Sequence, residues 1–329
     1  MKIFIAGATG AIGRYLLPRL TEAGHEVTAM TRSQNRMEQI RQAGAKPVVC
    51  DVFDRDHLKQ AMVTAQPEIV IHQLTNLPQQ IDPRRVEQAL AQTNRLRTEG
   101  TEILMEAAKA AGTRRFIAQS VAFYYAPTGS LPATEDEQLY KNAPADFANI
   151  VHAVDQLEHT VLNTPGIDGT ILRYGYFYGP GTAYAEDGSF TQEVRRRRMP
   201  IIGNGNGVFS FVHVEDAAIA TILALNNKPG IYNIVDDEPA PIREWLPSYA
   251  DMLNAPRPMR LPKLIGRLAA GRFGVYFMTE QRGASNKKAK EVLGWRPRYP
   301  SWRDGFRAAL DTSTHRSSAN NVSAIGVSS

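Results

Sequence analysis

The first half of the chain alternates short apolar runs with longer segments that repeat apolar residues at helical spacing. Continuous apolar runs of this length are typical of buried strands. The runs that predict strands are KIFIAG, HEVTAMT, AKPVVCD, EIVIHQL, RRFIAQS and GTILRYG. Helices are predicted between them, including a long one from about Val86 to Ala111. This alternation indicates a parallel sheet that is covered by helices on both faces.

The alternation ends near residue 174, where glycine and proline become dense in YGYFYGPG and IIGNGNG. Short elements without a regular order follow. We interpret residues 1–173 as one domain and residues 174–311 as a smaller lobe, which is interleaved with the last strands of the sheet. Residues 312–329 are small and polar and have no periodicity, so they are predicted to be disordered.

A glycine-rich loop, GATGAIG, follows the first strand and precedes the first helix. Its glycines permit a tight turn, a close approach of backbone amides to a pyrophosphate, and close packing of the helix on the sheet. The helix N-terminus favours the negative charge. This context predicts a Rossmann-type, doubly wound α/β fold with a dinucleotide site. The expected cofactor contacts are Gly7, Thr9, Gly10, Ala11, Ile12, Gly13, Arg32, Asp51, Val52, Leu74, Thr75 and Tyr174.

The end of the second strand bears on the choice of cofactor. NAD-selective sites place a carboxylate there, which accepts hydrogen bonds from the ribose 2′-hydroxyl. Here Thr31 and Arg32 occupy that place, and the first acidic residue after them is Glu38. Because a guanidinium can pair with a 2′-phosphate, we expect NADP(H) to be preferred over NAD(H), with Arg14 or Arg36 assisting Arg32.

The composition bears on the location of the protein in the cell and on the partners and metals that it can bind. No apolar run approaches the roughly 20 residues that span a bilayer, and the N-terminus has no signal-peptide pattern, so we expect a cytoplasmic protein without a membrane partner. The only cysteine, Cys50, cannot form an internal disulfide. The net charge of +5 is too diffuse to indicate nucleic acid. The seven histidines show no paired ligand spacing, so no metal is expected.

Together these motifs resemble the extended short-chain dehydrogenase/reductase superfamily, in its NAD-dependent epimerase/dehydratase branch. The resemblance covers nearly the whole chain to about residue 311 and rests on GATGAIG, NRLRTEGTEILMEAAKAAGTRRFIAQS, ILRYGYFYGPG and FSFVHVEDAA. It implies a C-terminal substrate-binding lobe. It also implies a catalytic Ser or Thr, a Tyr that exchanges a proton with the substrate, and a Lys four residues later that lowers the pKa of that Tyr.

Only part of this catalytic set is present. Ser120 ends the fifth predicted strand, and Tyr124 follows at the family's Ser-x-x-x-Tyr spacing, so these two are the catalytic candidates. If Glu158 is the Glu that follows the Lys, Ile150 stands at the Tyr position and Val154 at the Lys position. None of the 12 tyrosines is followed by Lys four residues later. The resemblance is therefore to an atypical member without the Tyr–Lys pair.

The sequence favours an NAD(P)H-dependent oxidoreductase that reduces or oxidises a small carbonyl or alcohol substrate with an atypical active site. Two alternatives stay open at this point: a nucleotide-sugar epimerase or dehydratase, and a non-catalytic NADP(H)-sensing regulator. The expected partner is a small-molecule substrate, and a homodimer is left open.

Overall fold

The computed structural model describes residues 1–78 and 81–310. The predicted disordered tail, 312–329, lies outside the described residues. Within the described part of the chain, no helix is long and apolar enough to span a membrane.

A seven-stranded parallel sheet forms the centre of the fold. In chain order the strands are β1 (Lys2–Ala6), β2 (Glu26–Thr31), β3 (Lys46–Val49), β4 (Ile69–His72), β5 (Arg115–Val121), β6 (Asp168–Tyr174), β7 (Tyr176–Tyr178), β8 (Ile201–Ile202), β9 (Val208–Phe209), β10 (Phe211–His213), β11 (Gly230–Ile234), β12 (Ala240–Pro241) and β13 (Arg260–Leu261). The sheet order is β11-β6-β5-β4-β1-β2-β3. The Rossmann-type fold and its six predicted strands are confirmed, and the seventh strand, β11, comes from the second half of the chain.

Helices cover both faces of this sheet. The helices of the whole described chain are α1 (Gly13–Glu22), α2 (Met37–Gln42), α3 (Arg55–Ala65), α4 (Val86–Arg95), α5 (Thr101–Ala110), α6 (Ala148–Asn163), α7 (Ser189–Arg195), α8 (Val214–Leu223), α9 (Ile242–Met252), α10 (Lys263–Thr279) and α11 (Lys287–Val292), and residues 302–310 are also helical. Of these, α7, α9 and residues 302–310 contribute to the lobe instead. A π-helical turn, Leu96–Gly100, joins α4 to α5. The long predicted helix is therefore continuous but wider at its centre.

The alternation of side chains along each strand divides the core into two layers. In β5, Phe116 and Ala118 pack into the layer that contains Leu157 of α6. Ile117, between them, packs into the opposite layer with Leu16 of α1. Since both faces are buried, the strands read as continuous apolar runs, which is why the sequence predicted them well.

The smaller lobe has a core of its own, built mainly from aromatic rings. It joins short strand pairs, β7 with β10, β9 with β12 and β8 with β13, to helix α9. Trp245, Tyr249, Phe211 and Phe306 are fully buried in this cluster. The lobe follows β6 in the chain, so it stands beside the edge of the sheet where the strands end.

Candidate active site

The loop between β1 and α1 requires its glycines in different ways. Gly7 has a φ of +95°, and a Cβ there would lie 2.6 Å from the carbonyl oxygen of Gln73. A Cβ on Gly13 would lie 2.2 Å from the carbonyl oxygen of Ala8. Gly10 is different, because a Cβ there would meet only the Gly7 carbonyl oxygen, at 3.4 Å. Packing within the protein therefore demands Gly7 and Gly13, whereas Gly10 keeps an exposed side of the loop bare.

In the first turn of α1, the amides of Arg14 and Tyr15 donate to the carbonyl oxygens of Gly10 and Ile12 at 3.2 and 2.9 Å. Ile12 at the cap makes no side-chain hydrogen bond, and no acidic residue lies in the first turn. Thr9 and Ala11, on either side of Gly10, are partly exposed. The positive end of a helix dipole attracts anions. The loop and this turn thus fit the pyrophosphate of a dinucleotide.

Cations flank the loop on the β2 side. Arg36 donates from Nη1 to the carbonyl oxygen of Thr9 at 3.2 Å. Arg32 is exposed and has no hydrogen bond or ion pair with any residue that the structure describes. Arg14 lies elsewhere, since a Cβ on Gly181 would be 2.6 Å from its Nη2. Arg32 and Arg36 are therefore the cations that remain near this strand end, and Arg14 packs against the lobe instead.

The ends of β3 and β4 continue the same edge. The Asp51 carboxylate accepts a hydrogen bond from the backbone amide two residues later, at 3.0 Å, and Val52 is buried. After β4, the Leu74 amide donates to Nδ1 of His72 at 3.2 Å, while Thr75 is exposed. Burial lowers the pKa of His72 to about 4, so its ring is neutral near pH 7. These residues stand at the same edge of the sheet as the glycine loop, and their contact with a cofactor stays a prediction.

Tyr174 does not reach this edge with its side chain. It is fully buried in the layer that contains α1 and α8. Its hydroxyl is 2.7 Å from Oγ1 of Thr221 and accepts from Gln73 Nε2 at 3.5 Å. The structure thus assigns Tyr174 to the core, and its expected cofactor contact is not supported. The sequence could not show this because β6 is buried on both faces.

Ser120 belongs to a buried polar network. Its hydroxyl donates to Oε1 of Glu158 at 2.6 Å, and Nε of Arg173 donates to the same oxygen at 2.8 Å. Arg173 also donates to the hydroxyl of Tyr125 at 2.9 Å, and that hydroxyl donates to Asn233 at 2.7 Å. Burial alone would lower the pKa of Arg173, but the hydrogen bonds and charge of Glu158 raise it.

The position of Ser120 follows from the strand. It continues the row of Phe116 and Ala118, which faces α6, and it pairs in register with Arg173 of β6. A hydroxyl that already donates to a buried carboxylate is not free to donate to a substrate. The geometry connects Ser120 with the buried network, and its expected catalytic role stays a prediction.

An apolar cluster takes the place next to this network. Val121, at the end of β5, packs with Ile150 and Val154, one turn apart on α6, and with Tyr124. All four residues are buried. Burial raises the pKa of Tyr124 to about 12, and the charge of Arg97 opposes that rise. We call Val121, Tyr124, Ile150 and Val154 the apolar floor. Its single phenol is a weak acid that no lysine activates.

Aromatic rings form a wall on the lobe side. The rings of Phe123 and Tyr176 are stacked with centroids 4.5 Å apart, and Tyr176 stacks on Phe209 at 4.7 Å. The hydroxyl of Tyr176 donates to Gln281 at 2.6 Å. Tyr176 thus lies between the other two rings, and a planar ligand would stack on the outer face of Phe123, which is partly exposed. Within residues 1–78 and 81–310, no group of three or more His, Cys, Asp or Glu side chains is arranged to hold a metal ion.

Comparison with known proteins gives the family. The model of the NAD dependent epimerase/dehydratase family matches residues 3–235. The chain belongs to this family. A 3-diazoavenalumate denitrifying reductase from a Streptomyces species is 44% identical over 308 residues, which cover 93% of this chain and 99% of that relative.

More distant relatives differ in activity. A 4-hydroxy-2-methyl-3-oxo-4-farnesyl-3,4-dihydroquinoline-1-oxide ketoreductase from Stigmatella aurantiaca is 25% identical and covers 90% of this chain and 92% of its own length. The crystal structure of UDP-glucose 4-epimerase from Thermotoga maritima with UDP-glucose matches with a TM-score of 0.75 at 22% identity, covering 96% of this chain and 99% of that one. That structural likeness shows the fold. Family membership confirms the prediction of a nicotinamide-dependent oxidoreductase at this coarse level.

Proposed function

We propose that this protein is an NADP(H)-dependent reductase that removes the nitrogen of a diazo-substituted, carboxylate-bearing planar substrate as dinitrogen. The observation that carries the proposal is the apolar floor: Val121, Ile150 and Val154 offer no proton donor or acceptor, and Tyr124 is a buried phenol. The relative that is 44% identical is named for a reductive denitrification of a diazo compound, which supports this choice.

The chemistry of this substrate explains why an acid is not needed. The bound cofactor supplies a hydride, which a diazonium group accepts at its terminal nitrogen. The resulting diazene, R–N=N–H, loses dinitrogen, and either its own hydrogen or a proton exchanged for it with water ends on carbon. The sum is R–N₂⁺ + H⁻ → R–H + N₂, so no net proton is taken up. A carbonyl differs, because its oxygen must gain a proton as hydride arrives at carbon.

The residues of the site have separate tasks in this proposal. The Gly7–Gly13 loop and the first turn of α1 hold the pyrophosphate, and Arg32 with Arg36 hold the 2′-phosphate of NADP(H). The apolar floor excludes water, which would otherwise compete for the reactive diazonium carbon. The stacked rings of Phe123, Tyr176 and Phe209 orient a planar substrate.

Isotopic labelling tests this function directly. The protein is incubated with NADPH deuterated at C4 and an aromatic diazonium carboxylate, and NADPH absorbance and dinitrogen release are followed together. We expect equal amounts of NADPH consumed and dinitrogen formed, and slower turnover with the deuterated cofactor because its C4–D bond breaks in the reaction. Dinitrogen release without NADPH oxidation would rule the proposal out, as would steady NADPH binding without turnover of any diazonium.

The variant Gly10→Val tests the cofactor site, because it adds a side chain on the exposed side of the glycine loop. We expect this variant to lose NADPH binding by calorimetry, because the side chain occupies the pyrophosphate space, and to keep its fold. Undiminished binding would contradict the cofactor site itself.

Ketone reduction is the second candidate. The relative named as a ketoreductase favours it, although at 25% identity. A panel of ketones in the same assay distinguishes the two functions, because ketone turnover should require Tyr124 or water as proton donor and diazonium turnover should not.

A further inference from the structure

Three arginines are buried among the described residues, and one of them differs from the other two. Arg173 pairs with Glu158, and Arg282 pairs with Glu137 and donates to several backbone carbonyls. Arg97 is 8% exposed, yet it has no hydrogen bond or ion pair with any described residue, and its Nη1 is fully enclosed. The protein thus buries a cation whose guanidinium makes no hydrogen bond or ion pair of its own, although the Glu158 carboxylate is near enough to act on its charge.

The surroundings of Arg97 place it at the candidate site. It lies in the π-helical turn Leu96–Gly100, and such turns inside α-helices are frequent at functional sites. The residue after this turn, Thr101, is 3.1 Å from Nε2 of His72, which ends β4. A Cβ at Gly100 would lie 3.7 Å from Cγ1 of Val52, which follows β3. The turn therefore stands at the edge of the sheet that carries the expected cofactor contacts.

The electrostatic interactions of Arg97 agree with a position at the candidate site. The charge of Arg97 acts on Tyr124 of the apolar floor and on His72. Burial lowers the pKa of Arg97, and the charges of Tyr124 and Glu158 oppose that fall. A guanidinium nevertheless stays protonated in proteins. Because this buried guanidinium makes no hydrogen bond, an anion that enters beside it gains a strong charge-assisted contact.

We propose that Arg97 is the anion-binding residue of the substrate site and that it pairs with a carboxylate of the substrate. This inference rests on the proposed function for the class of substrate. The alternative source of an anion is the cofactor. Its phosphates already have the glycine loop, α1, Arg32 and Arg36 on the β1 and β2 side, whereas Arg97 stands beside Tyr124 on the β4 and β5 side. A carboxylate that pairs with Arg97 would set a planar substrate over the apolar floor.

A binding experiment without turnover tests the pairing. Calorimetry on NADP⁺-loaded protein compares 4-hydroxycinnamate with its uncharged amide, neither of which contains a diazo group. We expect the wild type to bind the carboxylate about ten- to a hundredfold more tightly than the amide. Arg97→Met should remove that difference and leave the affinity for NADP⁺ unchanged. Arg114→Met, at an exposed ion pair on the opposite edge of the sheet, is the control and should preserve the difference.

The outcomes separate the pairing from a structural role and from the proposed function. Because Met removes an unpaired buried charge, the Tm of Arg97→Met should equal or exceed that of the wild type. Three results overturn the inference: a wild type that does not discriminate carboxylate from amide, a variant that still does, or a variant that loses NADP⁺ affinity. Diazonium turnover is measured separately, so its absence would refute the proposed function while carboxylate discrimination through Arg97 would still stand.

Discussion

Strand β5 and helix α6 carry two buried regions of opposite chemistry side by side. In one, Ser120, Glu158 and Arg173 form a network in which the charges meet opposite charges or hydroxyl groups. In the other, Val121, Ile150 and Val154 belong to a buried apolar cluster that also contains Tyr124. Neighbouring residues of one strand, 120 and 121, belong to different regions.

The difference separates what holds the fold from what meets a ligand. A buried charge that the protein pairs itself is already satisfied and has no need of a substrate. The apolar floor has no charge to satisfy, and the cation near it, Arg97, is left unpaired. We infer that polar groups of the network stabilise the β5–α6 packing, whereas reactivity depends on the cofactor and on a substrate that needs no acid.

Breaking the network should give the largest effect. Arg173→Met leaves the carboxylate of Glu158 buried without its cation, which should lower the free energy of unfolding by about 3–5 kcal/mol. Denaturant unfolding followed by circular dichroism measures it. Arg114 forms an ion pair with Glu68, and the Arg114 side chain is 78% exposed. Arg114→Met should therefore lower the free energy of unfolding by less than about 1 kcal/mol. Equal losses in the two variants would contradict the distinction between the regions.

Ser120→Ala tests whether this residue belongs to the network or to the chemistry. Loss of a hydrogen bond to a buried carboxylate should lower the free energy of unfolding by about 1.5–3 kcal/mol. Diazonium turnover per folded molecule should stay within about twofold of the wild type, because the proposed reaction does not use this hydroxyl. A variant of unchanged stability with a strongly reduced kcat would instead support the catalytic assignment made from the sequence.

Arg32 extends the comparison to an exposed cation without a partner. If it pairs with the 2′-phosphate, Arg32→Ala should weaken NADPH binding by about ten- to a hundredfold and leave NADH nearly unchanged. Calorimetry with both cofactors gives the ratio, and Arg41→Ala, at an exposed pair with Glu38, is a control on the next helix. Tighter binding of NADH than of NADPH by the wild type would be evidence against the preference.

The sequence predicted the parts whose local pattern determines their place. The strands are apolar runs between helices, and the glycine loop has the spacing that its turn requires, so both could be located without coordinates. The direction of a side chain at a strand end could not be predicted from the local pattern. Since β5 and β6 are buried on both faces, the pattern does not show which way Ser120 or Tyr174 points, and the hydrogen bonds of both depend on residues distant in the chain.

Arg97 was missed although a signal was present. Val86, Leu90, Thr93, Arg97 and Gly100 recur at spacings of three and four and are all buried. A charged residue in such a stripe is unusual. The π-helical turn that accommodates it has no sequence signature that we could have used, and the lack of a hydrogen bond or ion pair depends on residues distant in the chain.

The smallest expected effect is at Tyr124, the only phenol of the apolar floor. Burial raises its pKa to about 12 and lowers the pKa of His72 to about 4, so the phenol stays protonated and the imidazole neutral from pH 6 to 9. We therefore expect kcat for diazonium reduction to be flat across this range, and Tyr124→Phe to change it by less than about threefold, well under the hundredfold or more that a working general acid supplies. Any ionisation of the substrate itself would appear equally in both proteins, so the ratio of their profiles is the quantity to plot. Ketone reduction, if it occurs, should fall much further in Tyr124→Phe than diazonium reduction does. A bell-shaped profile that only the wild type shows would mean that the floor contains a working acid after all.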